Sequence, residues 1–98
     1  MTYTLQLFPH LGSFASNKDT ARALRQSEII PRLAKGEGII LDFTGIDGST
    51  QSLIHALIAE PLQLYGHKAL SLLQFKSANP IVKTLIGLVI DYSLIHRN

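Results

Sequence analysis

The feature that most constrains the fold is a short apolar run, GIILDF, from Gly38 to Phe43. It is nearly continuous, and the turn-forming stretches KGEG and TGIDG bound it on either side. A run of this length between turn signals is typical of a central strand that is buried on both faces of a sheet. The sequence therefore predicts a sheet with this segment at its centre.

Strand and helix patterns alternate along the rest of the chain. Residues 3–7 (YTLQL) alternate apolar and polar side chains as an edge strand does, and residues 69–75 (ALSLLQF) form a third strand-like run. Helical spacing follows each strand, and we expect Gly66 to end the second helix and Asn79 to cap the third. The order β-α-β-α-β-α predicts an α/β fold, a small domain with helices packed on a mostly parallel mixed sheet and room for a short extra strand near residues 8–14.

The first predicted helix is amphipathic and basic. Ser16 and Asp19 resemble a capping pair at its start, and we expect Pro31 to kink it or to end its regular part. One side of a helical wheel gathers the apolar residues Ala23, Ile30 and Ala34, flanked by Leu24 and Leu33. The other side gathers four basic residues, here called the basic face: Lys18, Arg22, Arg25 and Arg32.

The composition is that of a small globular chain. A length of 98 residues allows one domain, predicted to span residues 1–98, and 46% apolar against 16% charged residues argues against wholesale disorder. The absence of cysteine fits a reducing cytosol, and the N-terminus MTYTLQLF does not have the form of a secretory signal. Asp91 interrupts the longest apolar run, which falls short of the roughly 20 residues that a membrane span needs. We therefore expect a soluble, cytoplasmic protein.

Charge is distributed unevenly, although the net charge is only +2. Up to Gly36 there are five basic residues and two acids, from Glu37 to Gly66 four acids and no Lys or Arg, and from His67 on four basic residues and one acid. Blocks of opposite sign indicate surface recognition. The basic face could bind phosphates, which makes nucleic-acid binding one hypothesis, but a face without interleaved aromatic residues is more often simply solvated. We therefore rank nucleic acid below a protein partner.

The sequence shows no complete set of catalytic groups. Ser52 and His55 share one side of the second helix, but a nucleophile also needs a presenting turn, an oxyanion hole and a group that orients the base. The four histidines have no partner at metal-ligand spacing, and GIDGST lacks the lysine of a phosphate-binding loop. We therefore predict no enzyme activity, no metal and no cofactor.

Asp42 and the hydroxyls that follow it are the candidates for a functional site. An acid at the C-terminal end of a buried strand lies where open α/β sheets place functional groups, although it could equally accept hydrogen bonds from its own turn. With Asp47 it could line a pocket for a small ligand or a nucleotide, which is an alternative hypothesis. At least one of Ser49, Thr50 and Ser52 is expected to cap the second helix, where a phosphate would also be tolerated because helix N-termini favour negative charge.

Three segments of the chain resemble a known family. GSFASNKDTARALR, GIILDFTGIDGSTQSLIHAL and LLQFKSANPIVKTLI are similar to the STAS-like domain family of unknown function, a relative of the STAS domains of anti-sigma-factor antagonists and sulfate transporters. The resemblance runs from about Gly12 to Ile90, and its most specific pieces are LDFTGI and FKSANPIVKTLI. It implies a small bacterial α/β domain that regulates other proteins by direct contact. Self-association into a homo-oligomer stays an open alternative.

The resemblance also implies a switch. In anti-sigma-factor antagonists a partner ATPase of the histidine-kinase type phosphorylates a serine at the start of the helix after this strand, and phosphorylation then prevents binding to that partner. Ser52 falls at that serine, with Thr50 and Ser49 as neighbouring candidate phosphoacceptors. Thr50, Gln51 and Leu53 depart from the family's D-S-S-G box around it. The partner-binding residues that we assign on this basis are Asp42, Thr44, Asp47, Gly48, Gln51 and His55.

Overall fold

The computed structural model describes residues 2–96, with five strands and six helices among them; Met1, Arg97 and Asn98 of the predicted domain lie outside the described residues. The strands are β1 (Thr2–Gln6), β2 (Phe14–Ala15), β3 (Gly38–Asp42), β4 (Gly48–Ser49) and β5 (Leu73–Lys76). The helices are α1 (Phe8–Leu11), α2 (Lys18–Leu24), α3 (Ile30–Ala34), α4 (Gln51–Tyr65), α5 (His67–Leu72) and α6 (Pro80–Ile95). A π-helical turn over Arg25–Ile29 joins α2 to α3 without a break.

The strands form two parallel sheets. β3 lies at the centre of a three-stranded sheet of order β1-β3-β5, and both of its pairings are parallel. β2 and β4 form a separate parallel ladder, in which Phe14 pairs with Gly48 and Ala15 with Ser49. The predicted α/β class with helices packed on parallel strands is confirmed, and β2 is the extra strand that was expected before the first long helix.

One face of the three-stranded sheet carries the core. The inward residues of the three strands are Tyr3, Leu5, Ile39, Leu41, Leu73 and Phe75. The opposite face presents exposed polar side chains from the two edge strands, Thr4, Gln6, Gln74 and Lys76. Ile40 lies between them and is only half-buried, so the prediction that the central strand is buried on both faces is wrong for that side chain.

Helix α4 is the centre of the helical layer. It packs against α2 and α6, and its buried side chains are Leu53, Ile54, Ala56, Leu57, Ile58, Ala59, Pro61 and Leu62. Thr50 caps its start, because the side chain accepts a hydrogen bond from the backbone N–H of Leu53. Gly66, with a φ of 60°, ends it as predicted. The first residues of α4 are thereby held at the surface beside α2.

The segment predicted as the third strand is divided between two elements. Residues 67–72 are helical, with Ala69 fully buried, and only Leu73–Lys76 pair with β3. A short apolar run fits a buried strand and a buried helix equally well by periodicity. Here the first half of the run is a helix that packs against α4.

The first long helix begins one residue later than predicted and continues past Pro31. Asn17, not Ser16, is the N-cap, with its Oδ1 accepting from the N–H of Thr20 at 3.2 Å. Pro31 neither ends the helix nor leaves it regular, because the π turn precedes it and the N–H of Ile30 donates to the carbonyl of Arg25, five residues back. The buried residues of the segment are Ala21, Leu24, Ile29 and Leu33. The predicted apolar side was wrong at Ala23 and Ala34, which are exposed, because the wheel assumed α-helical spacing throughout.

Candidate functional site

Asp42 ends β3 and braces the turn that follows. Its Oδ1 accepts hydrogen bonds from the Thr44 hydroxyl at 2.6 Å and from the Thr44 N–H at 3.0 Å, and the residue is only 6% exposed. The pKa of Asp42 lies below its usual range, chiefly because its carboxylate accepts the hydrogen bond from the Thr44 hydroxyl and then the one from the Thr44 N–H. Burial opposes this shift, and the charge of Lys76 adds to it. The carboxylate is therefore committed to its own turn, and Thr44 is the exposed member of the pair.

Replacing Asp42 with asparagine should make the free energy of unfolding depend less on pH in the acidic range. A carboxyl whose folded pKa is lowered contributes stability that is present above its unfolded pKa and is lost as the pH falls through the folded pKa. We expect the free energy of unfolding of the wild type to fall more steeply below about pH 5 than that of Asp42→Asn. Urea denaturation at a series of pH values measures this difference.

Thr44→Val tests the cause of that pH dependence, because it removes the largest contribution to the lowered pKa of Asp42. Thr44→Val alone should reduce the acid dependence, and adding it to Asp42→Asn should reduce it no further. Parallel pH profiles for the wild type and Asp42→Asn would contradict this role of the carboxylate.

The three hydroxyls after the turn have different surroundings. The half-buried Ser49 hydroxyl lies 2.8 Å from the carbonyl oxygen of Ala15 and donates across the β2–β4 ladder. Thr50 Oγ1 is occupied as the helix cap, at 3.1 Å from the N–H of Leu53. Ser52 is exposed, and its hydroxyl has no hydrogen-bond partner among residues 2–96. Ser52 is therefore the hydroxyl of the three that a second protein can reach.

Ser52 lines an open depression between α2 and α4. The depression has a volume of about 520 Å³ and is lined by Lys18, Arg22, Arg25, Gln51, Ser52, His55 and Ala56. We call it the α2–α4 depression. It brings together three of the four residues of the predicted basic face with three of the predicted phosphoacceptor and partner-binding residues.

The cations of the depression are not equally available. The Arg25 guanidinium joins the two helices, with Nη1 donating to the Ala56 carbonyl at 3.0 Å and Nε 2.9 Å from the carboxylate of Glu60. Arg22 pairs with Asp19 at 2.9 Å on the open surface, where such a pair is worth little. Lys18 is exposed and makes no ion pair among the residues that the structure describes. An incoming anion would therefore meet Lys18 and Arg22 first.

Arg32 does not belong to this surface. Its Nη1 lies 3.0 Å from the Glu28 carboxylate, and its guanidinium carbon lies 3.6 Å above the centre of the Tyr3 ring. The predicted four-residue basic face is wrong in this respect, because the π turn places an extra residue between Arg25 and Arg32. What remains is a smaller cluster beside α4, with Lys18 and Arg22 on α2 and Arg25 at the start of the π turn.

The other predicted partner-binding residues lie around the start of α4. Asp47 is exposed, while its backbone N–H donates to the Ser13 carbonyl at 2.7 Å and its carbonyl accepts from Asn79 Nδ2 at 2.6 Å. Gly48 is half-buried in β4, and Gln51 is exposed as the first residue of α4. The exposed His55 ring lies 5.8 Å from the ring of Tyr92 on α6.

Two exposed phenylalanines at the same end of the fold were missed from the sequence. Phe8 is 45% and Phe14 60% exposed. The ring of Phe8 lies over Gly45 and that of Phe14 over Gly48, so that a Cβ on either glycine would approach the ring to 2.9 Å or 3.1 Å. The glycines of TGIDG were the available signal, since glycine in a turn also marks close approach by another group. Exposed aromatic rings are typical anchors of protein interfaces.

The small-ligand alternative has a limited site. The cavity beside Asp42 has a volume of about 150 Å³ and is lined by Gln6, Phe8, Pro9, Asp42 and Thr44, without Asp47. Pockets for small molecules usually measure about 300–1,000 Å³. Within residues 2–96 there is also no group of three or more His, Asp or Glu placed to hold a metal ion.

The fold and this surface define the class of protein. It is a small α/β domain with parallel strands, in which the first turn of α4 presents the Ser52 hydroxyl at the surface. A family model described as the STAS-like domain of unknown function matches residues 21–83, and the chain belongs to that family. The match extends from within α2 to the first turn of α6, and it includes every residue that lines the α2–α4 depression except Lys18. No curated protein and no solved structure matches the chain. Over residues 2–96, no helix has the length and apolar character required to cross a bilayer.

Proposed function

We propose that this chain is a non-enzymatic regulatory module that binds a protein partner through the start of α4 and the facing side of α2. The observation that carries the proposal is the exposure of Ser52 in a depression that also presents Lys18 and Arg22. The exposed Gln51 and His55 extend this surface along α4. Its basic character favours a partner with an acidic surface.

The partner that fits best is an ATPase of the histidine-kinase type, as for anti-sigma-factor antagonists in bacteria. Such a kinase needs a serine that it can reach and a site that tolerates the phosphate. Ser52 is exposed at the second position of α4, where the helix dipole favours negative charge, and Lys18 and Arg22 lie nearby. Phosphate transfer from ATP would take place in the cytoplasm.

A binding role also fits the surroundings of His55 better than catalysis does. A nucleophilic serine needs a base within hydrogen-bond reach. Ser52 has no hydrogen bond to His55, whose ring is packed beside Tyr92 instead. The proposed consequence of phosphorylation is therefore a loss of positive surface charge, since a phosphate carries about −1.5 to −2 charge at pH 7, rather than a chemical step by this chain.

The switch predicts phosphorylation at a single residue. Incubating the purified protein with a candidate ATPase-kinase and ATP should give phosphate on Ser52 alone, because the hydroxyls of Ser49 and Thr50 are engaged in the fold. Phosphopeptide mass spectrometry locates the modification. Ser52→Ala should abolish it, and Ser49→Ala is the matched control that should leave it unchanged.

A binding assay with the same kinase separates the module from the switch. We expect Ser52→Asp to weaken the complex by about tenfold or more, since two like-charged groups would meet at the interface. Binding without phosphate transfer would retain the interaction module and remove the switch. Phosphate on Ser49 or Thr50 would contradict the assignment of Ser52.

A further inference from the structure

Helix α6 has a second apolar side, most of which is exposed in the part of the chain that the structure describes. Its inner side, buried against the core, consists of Val82, Ile86, Val89 and Ser93. Its outer side consists of five residues at spacings of four and three, here called the outer seam: Ile81, Leu85, Leu88, Tyr92 and Ile95. Leu85 is half-buried, while Ile81 is 66%, Leu88 51%, Tyr92 48% and Ile95 76% exposed. A continuous exposed apolar strip of this kind marks an interaction site.

The spacing of the outer seam specifies a helix as its partner. Apolar residues that alternate at intervals of four and three form the contact line of a coiled coil, in which side chains of one helix fit between those of another. The inner side of α6 has the same four-three spacing and packs against α4. With 16 residues, α6 is about 24 Å long, which is enough for several layers of such contacts.

The charges on α6 favour a second copy of the same helix. Lys83 and Asp91 are the only charged residues between Pro80 and Ile95, so two copies would not repel each other strongly. In an antiparallel pair, one register places Ile81 opposite Tyr92 and Leu85 opposite Leu88 of the other copy. Asp91 then lies beside Thr84 of the other copy, whereas sliding the helices by one heptad would bring the two Asp91 carboxylates together. The first of these two registers pairs the seam with itself without bringing like charges together, as a twofold-symmetric interface requires.

We propose that two copies of this chain form a dimer through antiparallel pairing of α6 along the outer seam. Leu88 and Leu85 lie at the centre of the interface, and Ile81 and Tyr92 lie toward its ends. The interface does not include Ser52, although it adjoins the α2–α4 depression where the Tyr92 ring lies beside that of His55. The dimer therefore does not depend on the proposed kinase partner.

The test is the mass of the protein in solution, measured by light scattering and analytical ultracentrifugation over a wide range of concentration. We expect the wild type to have twice the 10.8 kDa mass of one chain. Leu88→Glu should be monomeric, with self-association weakened by more than about tenfold, because it places a charge at the centre of an apolar interface. Leu64→Glu is the matched control: Leu64 is 54% exposed on α4, outside the seam, and the variant should remain dimeric.

Engineered disulfides test the orientation, since the chain contains no cysteine. In the antiparallel register Ile81→Cys/Tyr92→Cys should form a covalent dimer on oxidation, while Ile81→Cys alone should not. Circular dichroism shows whether each variant keeps its helical content. A wild type that stays monomeric at every concentration, a dimeric Leu88→Glu, or cross-linking by Ile81→Cys alone would overturn the proposal.

Discussion

Replacing Phe43 with alanine is expected to lower the free energy of unfolding by about 3–5 kcal/mol, the cost typical of removing a buried aromatic ring. Phe43 is 1% exposed and directly follows β3. Its N–H donates to the Lys76 carbonyl at 2.8 Å, and its carbonyl accepts from the N–H of Ile46 at 2.9 Å. The backbone of Phe43 thus anchors the turn that leads to β4 and to the start of α4, while its ring is buried in the core. Chemical denaturation followed by circular dichroism measures the loss.

The matched control for this prediction is Phe14→Ala, which removes the same ring from a position that is 60% exposed. A substitution at such a surface position usually changes the free energy of unfolding by less than about 0.5 kcal/mol. Phe14→Ala should therefore leave stability nearly unchanged, while it removes a candidate anchor for a partner. Equal losses for the two variants would show that burial does not decide the cost at Phe43.

Much of the fold could be predicted because local signals and packing agree there. The apolar run GIILDF is the central strand, Gly66 ends α4, and Asn79 caps α6 with its Oδ1 2.9 Å from the N–H of Val82. Each of these signals acts within a few residues of itself. Residues 67–72 are different, because a segment of their composition suits a strand or a helix, and the contact of α5 with α4 is not visible in the sequence.

The candidate site could be predicted in its residues but not in its arrangement. The sequence pointed to Ser52, His55 and the cations of α2, and the structure brings them to one depression. It did not reveal that Ser49 and Thr50 are engaged by the backbone, since that depends on the β2–β4 ladder and on the cap of α4. The exposed rings of Phe8 and Phe14 were missed for a related reason, because their positions depend on glycines more than 30 residues away along the chain.

Gly45→Ala is expected to destabilise the protein by about 1–3 kcal/mol and to displace the Phe8 ring. Gly45 has a backbone φ of +92°, which residues other than glycine rarely adopt. A Cβ at this position would lie 2.9 Å from two atoms of the Phe8 ring. The ring would have to move away from the turn over Asp42 and Thr44, with which it lines one cavity. Urea denaturation measures the loss of stability, and NMR of the Phe8 ring protons reports its displacement.

Two further variants separate the backbone strain from the collision with Phe8. Gly36→Ala has the same kind of strain, with a φ of +77°, but its Cβ would meet nothing within 4 Å. It should therefore cost less than Gly45→Ala and leave the Phe8 signals unchanged. Because Phe8→Ala removes the obstacle, the double variant Phe8→Ala/Gly45→Ala should be more stable than the sum of the two single losses predicts. Strictly additive losses would mean that backbone strain at the positive φ is the only reason for the cost of Gly45→Ala, and that the collision with the Phe8 ring adds nothing to it.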